Sequence, residues 1–127
     1  MTQEKTYNGW KNYETWNIML WVNNDEGIST MVEHSLFCWL RHEVENDNLN
    51  GKDIQEYFVN SVSFDTLREI MCIDEAFPTN QTRDGVRLDD SSIDWNAIRS
   101  AIAERLDSRM IDSLNEYFRE ILPNNVY

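Results

Sequence analysis

The sequence predicts an all-α fold, a compact bundle of five or six helices in which residues 1–127 form one domain. Two observations predict it. Apolar residues recur three or four positions apart in segment after segment, the spacing that lines one face of a helix. Between those segments stand the Asn, Asp, Ser and Thr residues that cap helices, while the small glycine and proline content (Gly 4, Pro 2) leaves little material for a turn-rich β fold.

Residues 1–9 read as a polar arm. Asn12 opens the first helix, with Tyr13, Trp16 and Leu20 at helical spacing and Ile18, Met19, Trp21 and Val22 on other sides. A helix apolar nearly all round belongs at the centre of a core, so it is expected to pack against the second and C-terminal helices. Asn23, Asn24, Asp25, Glu26 and Gly27 break the pattern. Thr30 and Glu33 fit a capping box, in which a hydroxyl and a carboxylate satisfy each other's backbone N–H groups. Val32, Leu36, Trp39, Leu40 and Val44 supply the stripe of this second helix, and the run from Asn46 to Gly51 ends it. Asn50 with Asp53 repeats the start signal ahead of Ile54, Tyr57 and Phe58. Ser63 or Asp65 caps a further helix with Phe64, Leu67, Ile70 and Met71 inward, closed by Asp74, Glu75 and Pro78.

Residues 78–91 lack a period. Val86 and Leu88 alternate there as a short strand would, but no second strand is evident to pair with it. Ser91 and Asp94 fit another capping box before Ile98, Ala101, Ile102 and Leu106. Ile111, Leu114, Phe118, Ile121 and Leu122 complete the pattern. Asp107 and Ser108 either divide this region into two helices or decorate one, and Pro123 ends it.

The charge restricts function. Lys+Arg 11 against Asp+Glu 23 leaves a formal charge of −12. Direct binding to nucleic acid or to an anionic membrane needs a basic face, and both are disfavoured. Hydrophobic residues at 41% and aromatic residues at 12% set the chain apart from an acidic disordered tail. The polar start, Met1 to Thr6, lacks the apolar segment of a signal peptide, and no run of roughly 18 apolar residues exists to span a bilayer. The cytoplasm is the expected compartment, with Cys38 and Cys72 as buried free thiols.

Catalytic chemistry finds little support. His34, Cys38 and His42 lie four apart, but zinc needs three or four converging ligands and no second Cys/His cluster completes the set. Asp84, Asp89, Asp90 and Asp94 do not follow a calcium-loop pattern, and no nucleophile elbow or phosphate-cradling glycine loop occurs. Neither enzymatic activity nor a metal or cofactor is expected. The acids are more informative. Asp107, Asp112, Glu116 and Glu120 run along the last helical region, and the last three are spaced i,i+4, where like charges cost a few tenths of a kcal/mol per pair. Solubility accounts for such a face in ordinary terms. A functional account is a negative surface that attracts a basic partner. Those four acids, with Asp89, Asp90 and the indole of Trp10 ahead of the first helix, are the candidate partner-binding residues. The remaining tryptophans are expected mostly in the core.

The run Gly9-Trp10-Lys11-Asn12-Tyr13-Glu14-Thr15-Trp16-Asn17, continuing through an apolar helix to Asn23-Asn24-Asp25-Glu26-Gly27, resembles the opening of a family of small proteins from bacteriophages, cyanophages, plasmids and some bacterial genomes. Ser92-Ile93-Asp94-Trp95-Asn96-Ala97-Ile98 is similar to a second, weaker block of that family. Its members are mostly of unassigned function, so the resemblance implies a mobile-element origin and carries over no catalytic residue. Charge and implied origin together suggest an accessory protein that binds and inhibits a host nucleic-acid-binding defence protein, of anti-CRISPR or anti-restriction type, by presenting carboxylates as a DNA mimic. The alternative is a phage regulator that binds host transcription or metabolic machinery through an apolar patch. Homodimer formation is compatible with either.

Overall fold

The computed structural model describes residues 9–125, with side chains described as far as Glu120. The polar arm expected over 1–9 therefore lies outside the described residues, except for Gly9. Among the described residues seven helices follow in order: α1 (Tyr13–Asn24), α2 (Glu26–Glu45), α3 (Ile54–Ser61), α4 (Phe64–Ile70), α5 (Ile73–Ala76), α6 (Trp95–Ala103) and α7 (Ser108–Asn125). The described residues hold no strand, so the fold is all-α. Residues 81 and 87 form only an isolated antiparallel bridge within the long α5–α6 loop.

The count exceeds five or six because α5 is a separate single turn. Cys72 takes a left-handed conformation (φ 54°) and re-aims the chain between α4 and α5. Other boundaries differ for reasons of capping. α2 begins at Glu26, a turn before the Thr30–Glu33 box. The Asp25 carboxylate accepts from the Ile28 amide at 3.0 Å, while its own N–H bonds back to the Trp21 carbonyl at 3.0 Å. One aspartate thus ends α1 and starts α2, where the sequence reads as a five-residue break. Asp53, not Asn50, caps α3, and Asp94, not Ser91, caps α6. Asn12 and Ser63 cap α1 and α4 as expected.

Asp107 divides the C-terminal region. Its carboxylate accepts from the Met110 amide at 3.1 Å and its carbonyl from the Ile111 amide at 3.0 Å, so α6 and α7 are distinct. Pro123 does not end α7, which continues to Asn125. A proline in the last turn forfeits one backbone hydrogen bond but holds a helical φ itself.

α2, rather than α1, is the hub of the packing, touching α1, α4 and α7; α1 packs mainly on α2 and α6, and α3 packs on α6. The α2 stripe of Val32, Leu36 and Leu40 is fully buried, as are Ile18 and Val22 of α1, Phe58 of α3, and Ile98 and Ile102 of α6. Each such side chain contributes about 1.5–3 kcal/mol of apolar transfer. The tryptophans other than Trp10 sit differently from expectation. Trp10, Trp16, Trp21, Trp39 and Trp95 are all half-buried and rim the core. An indole is large and has a polar N–H, so the boundary suits it better than the interior. Cys38 and Cys72 are free and half-buried rather than fully buried. Phe64, expected inward, is 44% exposed. It is the first residue of α4, immediately after the cap, where the helix turns its first side chain off the core side.

Candidate functional site

Two features stand out: a long loop fastened to α1, and carboxylates exposed on the helix exteriors. The loop joins α5 to α6 and is longer than most connections in compact domains, where structureless segments beyond about 12–15 residues are uncommon. It is anchored by the aromatic N-terminal motif. The Asn17 side chain is 1% exposed, accepts from the Thr82 hydroxyl at 2.6 Å and donates to the Asp84 carboxylate at 2.8 Å. The Trp21 indole N–H donates to the same carboxylate oxygen at 2.9 Å. The Thr82 hydroxyl in turn accepts from the Val86 amide at 3.1 Å. This closes a tight turn in which Gly85, at φ 92°, adopts a conformation that favours glycine. One residue face further along α1, Thr15 is fully buried and its hydroxyl accepts from the Asp94 amide at 2.9 Å, while the Asn12 amide donates to the Ser92 carbonyl at 2.6 Å. The two sequence blocks that carry the family resemblance therefore touch each other. Their polar residues are fastenings between α1 and the loop.

Those two donors hold the Asp84 carboxyl below the usual carboxylate value, the Asn17 amide having the larger effect. A carboxyl whose folded-state pKa is depressed contributes stability that is present above its unfolded value, near 3.8, and is lost as pH falls through the lower folded value. Asp84→Asn keeps an acceptor for both donors and removes the charge. In thermal unfolding between pH 2 and pH 5 it is expected to show a flatter acid limb than the parent chain. Superimposable acid limbs would show that Asp84 carries no such linkage.

Several arginines pair within the chain. Arg105 donates to Glu33 at 2.8 Å, to Ser29 at 3.2 Å and to Asn23 at 2.6 Å, tying α1, α2 and the α6–α7 link together. Arg99 donates to the Val62 carbonyl at 2.8 Å, fastening α6 to the end of α3. Arg87 grips Asp89 with two bonds of 3.0 Å, Arg83 stacks on Trp21 beside Asp25, and Arg109 lies between Glu33 and Asp107. Of these, Arg105 is largely buried while Arg83, Arg87 and Arg109 pair at the surface, and Asp+Glu 23 against Lys+Arg 11 still leaves an excess of carboxylates.

The candidate residues separate into two groups on this basis. Asp112, Glu116 and Glu120 lie exposed along α7, where Glu120 keeps an interaction of its own. Asp107 is half-buried at the α7 cap, Asp89 is held by Arg87, and Asp90 accepts from the Ser92 amide and hydroxyl, so these three have structural partners. The bonds to Arg87 and Ser92 hold the Asp89 and Asp90 carboxyls below their usual values. Trp10 lines a cleft of about 350 Å³ with Asp107, Met19, Asn23 and Arg105, so these two candidates are brought together, while Asp89 and Asp90 do not line it. The seven candidates thus form no single patch with one chemical environment. A second acidic area escaped sequence reading: Asp65, Glu69, Asp74 and Glu75 surround a depression of about 500 Å³ between α4 and α5, with Arg68 as its cation. Its signal is present as acids at 65, 69, 74 and 75 on either side of Cys72, but the left-handed Cys72 is what re-aims the chain between the two helices.

The His/Cys stripe makes local contacts only. His34 Nε2 lies 3.7 Å from Cys38 Sγ, and His42 Nδ1 lies 3.2 Å from Glu43, whose other oxygen accepts from the Tyr57 hydroxyl at 2.8 Å. The described residues present no group of three or more His, Cys, Asp or Glu side chains placed to hold a metal ion, and no helix among them is long and apolar enough to cross a membrane.

Residues 3–113 match the sequence profile of DUF7249, a family of unknown function. Neither a curated protein nor a solved structure gives a significant match.

Proposed function

The chain belongs to DUF7249, a family of unknown function, and we propose that it binds the basic, nucleic-acid-binding surface of another protein and blocks it. The observation that carries this is the distribution of charge. Arg83, Arg87, Arg105 and Arg109 each pair with a carboxylate of the chain, whereas Asp112 and Glu116 of α7 and the four acids of the α4–α5 depression are exposed to solvent. Charge fixed on a frame focuses a field that steers a cationic surface toward it. In the mobile-element setting that the N-terminal resemblance implies, the partner is a host defence protein of CRISPR or restriction type.

Affinity capture from host lysate with the full chain as bait tests this directly. A nucleic-acid-binding protein is expected to be retained, and duplex DNA is expected to release it by competing for the same basic surface. A retained partner indifferent to DNA would overturn the proposal. The second reading, a regulator that docks through an apolar patch, draws on the exposure of Phe64. It is separated by salt, because association through an apolar patch keeps its rate as ionic strength rises.

A further inference from the structure

Phe64 is the large hydrophobic side chain that the described part of the fold leaves most open, at 44% exposure. It does not stand alone. Its ring meets the half-buried Trp95 ring edge to face, with centroids 5.1 Å apart at 71°. The pair joins the first residue of α4 to the first residue of α6 and makes a small aromatic shelf.

The shelf borders the α4–α5 depression through Arg68. The Arg68 guanidinium carbon lies 5.6 Å from the Phe64 ring centroid, and one of its nitrogens lies 3.9 Å from Asp74. Asp65, Glu69 and Glu75 share that depression, and among the described residues no cation pairs with them. Four carboxylates against one arginine leave the area strongly negative. An aromatic face next to carboxylates suits a guanidinium specifically. The planar cation stacks on the ring and donates to the carboxylates in one pose, which an ammonium reproduces poorly. Arg68 already lies over this ring within the chain, with Asp74 in ion-pair range.

Resting on the proposed binding of a basic protein, we propose that the Phe64–Trp95 shelf and the α4–α5 depression dock an arginine-bearing segment of that partner. An incoming arginine takes the ring face and the carboxylates that Arg68 only partly engages. The aromatic pair supplies the anchor, and the acids set its chemical class.

Calorimetric titration of the full chain with nona-arginine and nona-lysine peptides tests the assignment. The arginine peptide is expected to bind more tightly than the lysine peptide. Phe64→Ala is expected to weaken the arginine peptide by about 5-fold, in the range of one cation–π contact, and to change lysine binding by less than about 2-fold. Phe64→Leu, which keeps apolar bulk without a π face, is expected to behave like Phe64→Ala. Circular dichroism and thermal unfolding check that both variants fold. Equal binding of the two peptides, or arginine binding unchanged by Phe64→Ala, would overturn this docking site and leave the broader proposal standing if DNA still releases the captured partner. Absence of binding to both peptides would remove the docking site together with the acidic-surface reading.

Discussion

Asn17→Leu should destabilise the protein by about 3 kcal/mol, the range expected when a buried polar network loses its central member. The side chain is nearly isosteric, so the effect is not a cavity. Leucine leaves the Thr82 hydroxyl without its acceptor and removes one of the two donors to Asp84. Thr82 is 3% exposed, so water does not readily replace the lost bond. The turn closed by the Val86 amide then opens, and the Val86 and Leu88 side chains, both buried, lose their seat. Denaturant unfolding gives the magnitude, and faster amide exchange at Val86 and Leu88 gives the location. The double variant Asn17→Leu with Thr82→Val should cost less than the sum of the two single losses, because each single variant already breaks the bond the two side chains share, although Thr82→Val also strands the Val86 amide. A single-variant effect below about 1 kcal/mol, or a double variant that merely adds the two losses, would show that the network does not fasten the loop.

That network also marks where sequence reading ends. The helices were legible because their causes are local: Asn12 and Ser63 each bond an amide three residues on, and the stripes of α2 and α6 repeat every three or four residues. The α1–α2 junction was misread because Asp25 serves two helices at once, which leaves no linker to see. The bonds from Asn17 to Thr82 and Asp84 span more than sixty residues and leave no periodic trace. The motif Asn12-Tyr13-Glu14-Thr15-Trp16-Asn17 was visible as a block, and its role as a capped helix start was only half of its meaning. Its Thr15 and Asn17 face the loop. The candidate site was legible to a similar degree. An exposed stripe on α7 follows from helical spacing alone, whereas the neutralisation of Asp89 by Arg87 and the convergence of α4 and α5 acids depend on turns that the sequence does not announce.

Charge reversal on α7 should produce the largest change in binding. Asp112→Lys, Glu116→Lys and Glu120→Lys together move the formal charge from −12 to about −6 and invert one rigid face. Association with a basic partner surface is expected to slow by at least about tenfold at low salt, and the difference should shrink as ionic strength rises and the Debye length falls to roughly 8 Å or less. Folding should survive, since all three side chains are exposed and the variant keeps the buried positions Met110 and Leu114. The spacing sets what the stripe alone can do. Carboxylates at i,i+4 stand about 6 Å apart along a helix, against one phosphate per about 3.4 Å of axis on each DNA strand. A single α7 stripe therefore carries roughly half the linear charge of one strand, so full occupation of a nucleic-acid groove calls for the α4–α5 acids as well. Reversal of Glu69 and Glu75 should accordingly slow association further when added to the α7 triple change. An additive loss would place both faces against the partner. A slowing confined to the α7 variant would limit the contact to that helix, and an unchanged association rate in both would mean that the excess charge serves solubility alone.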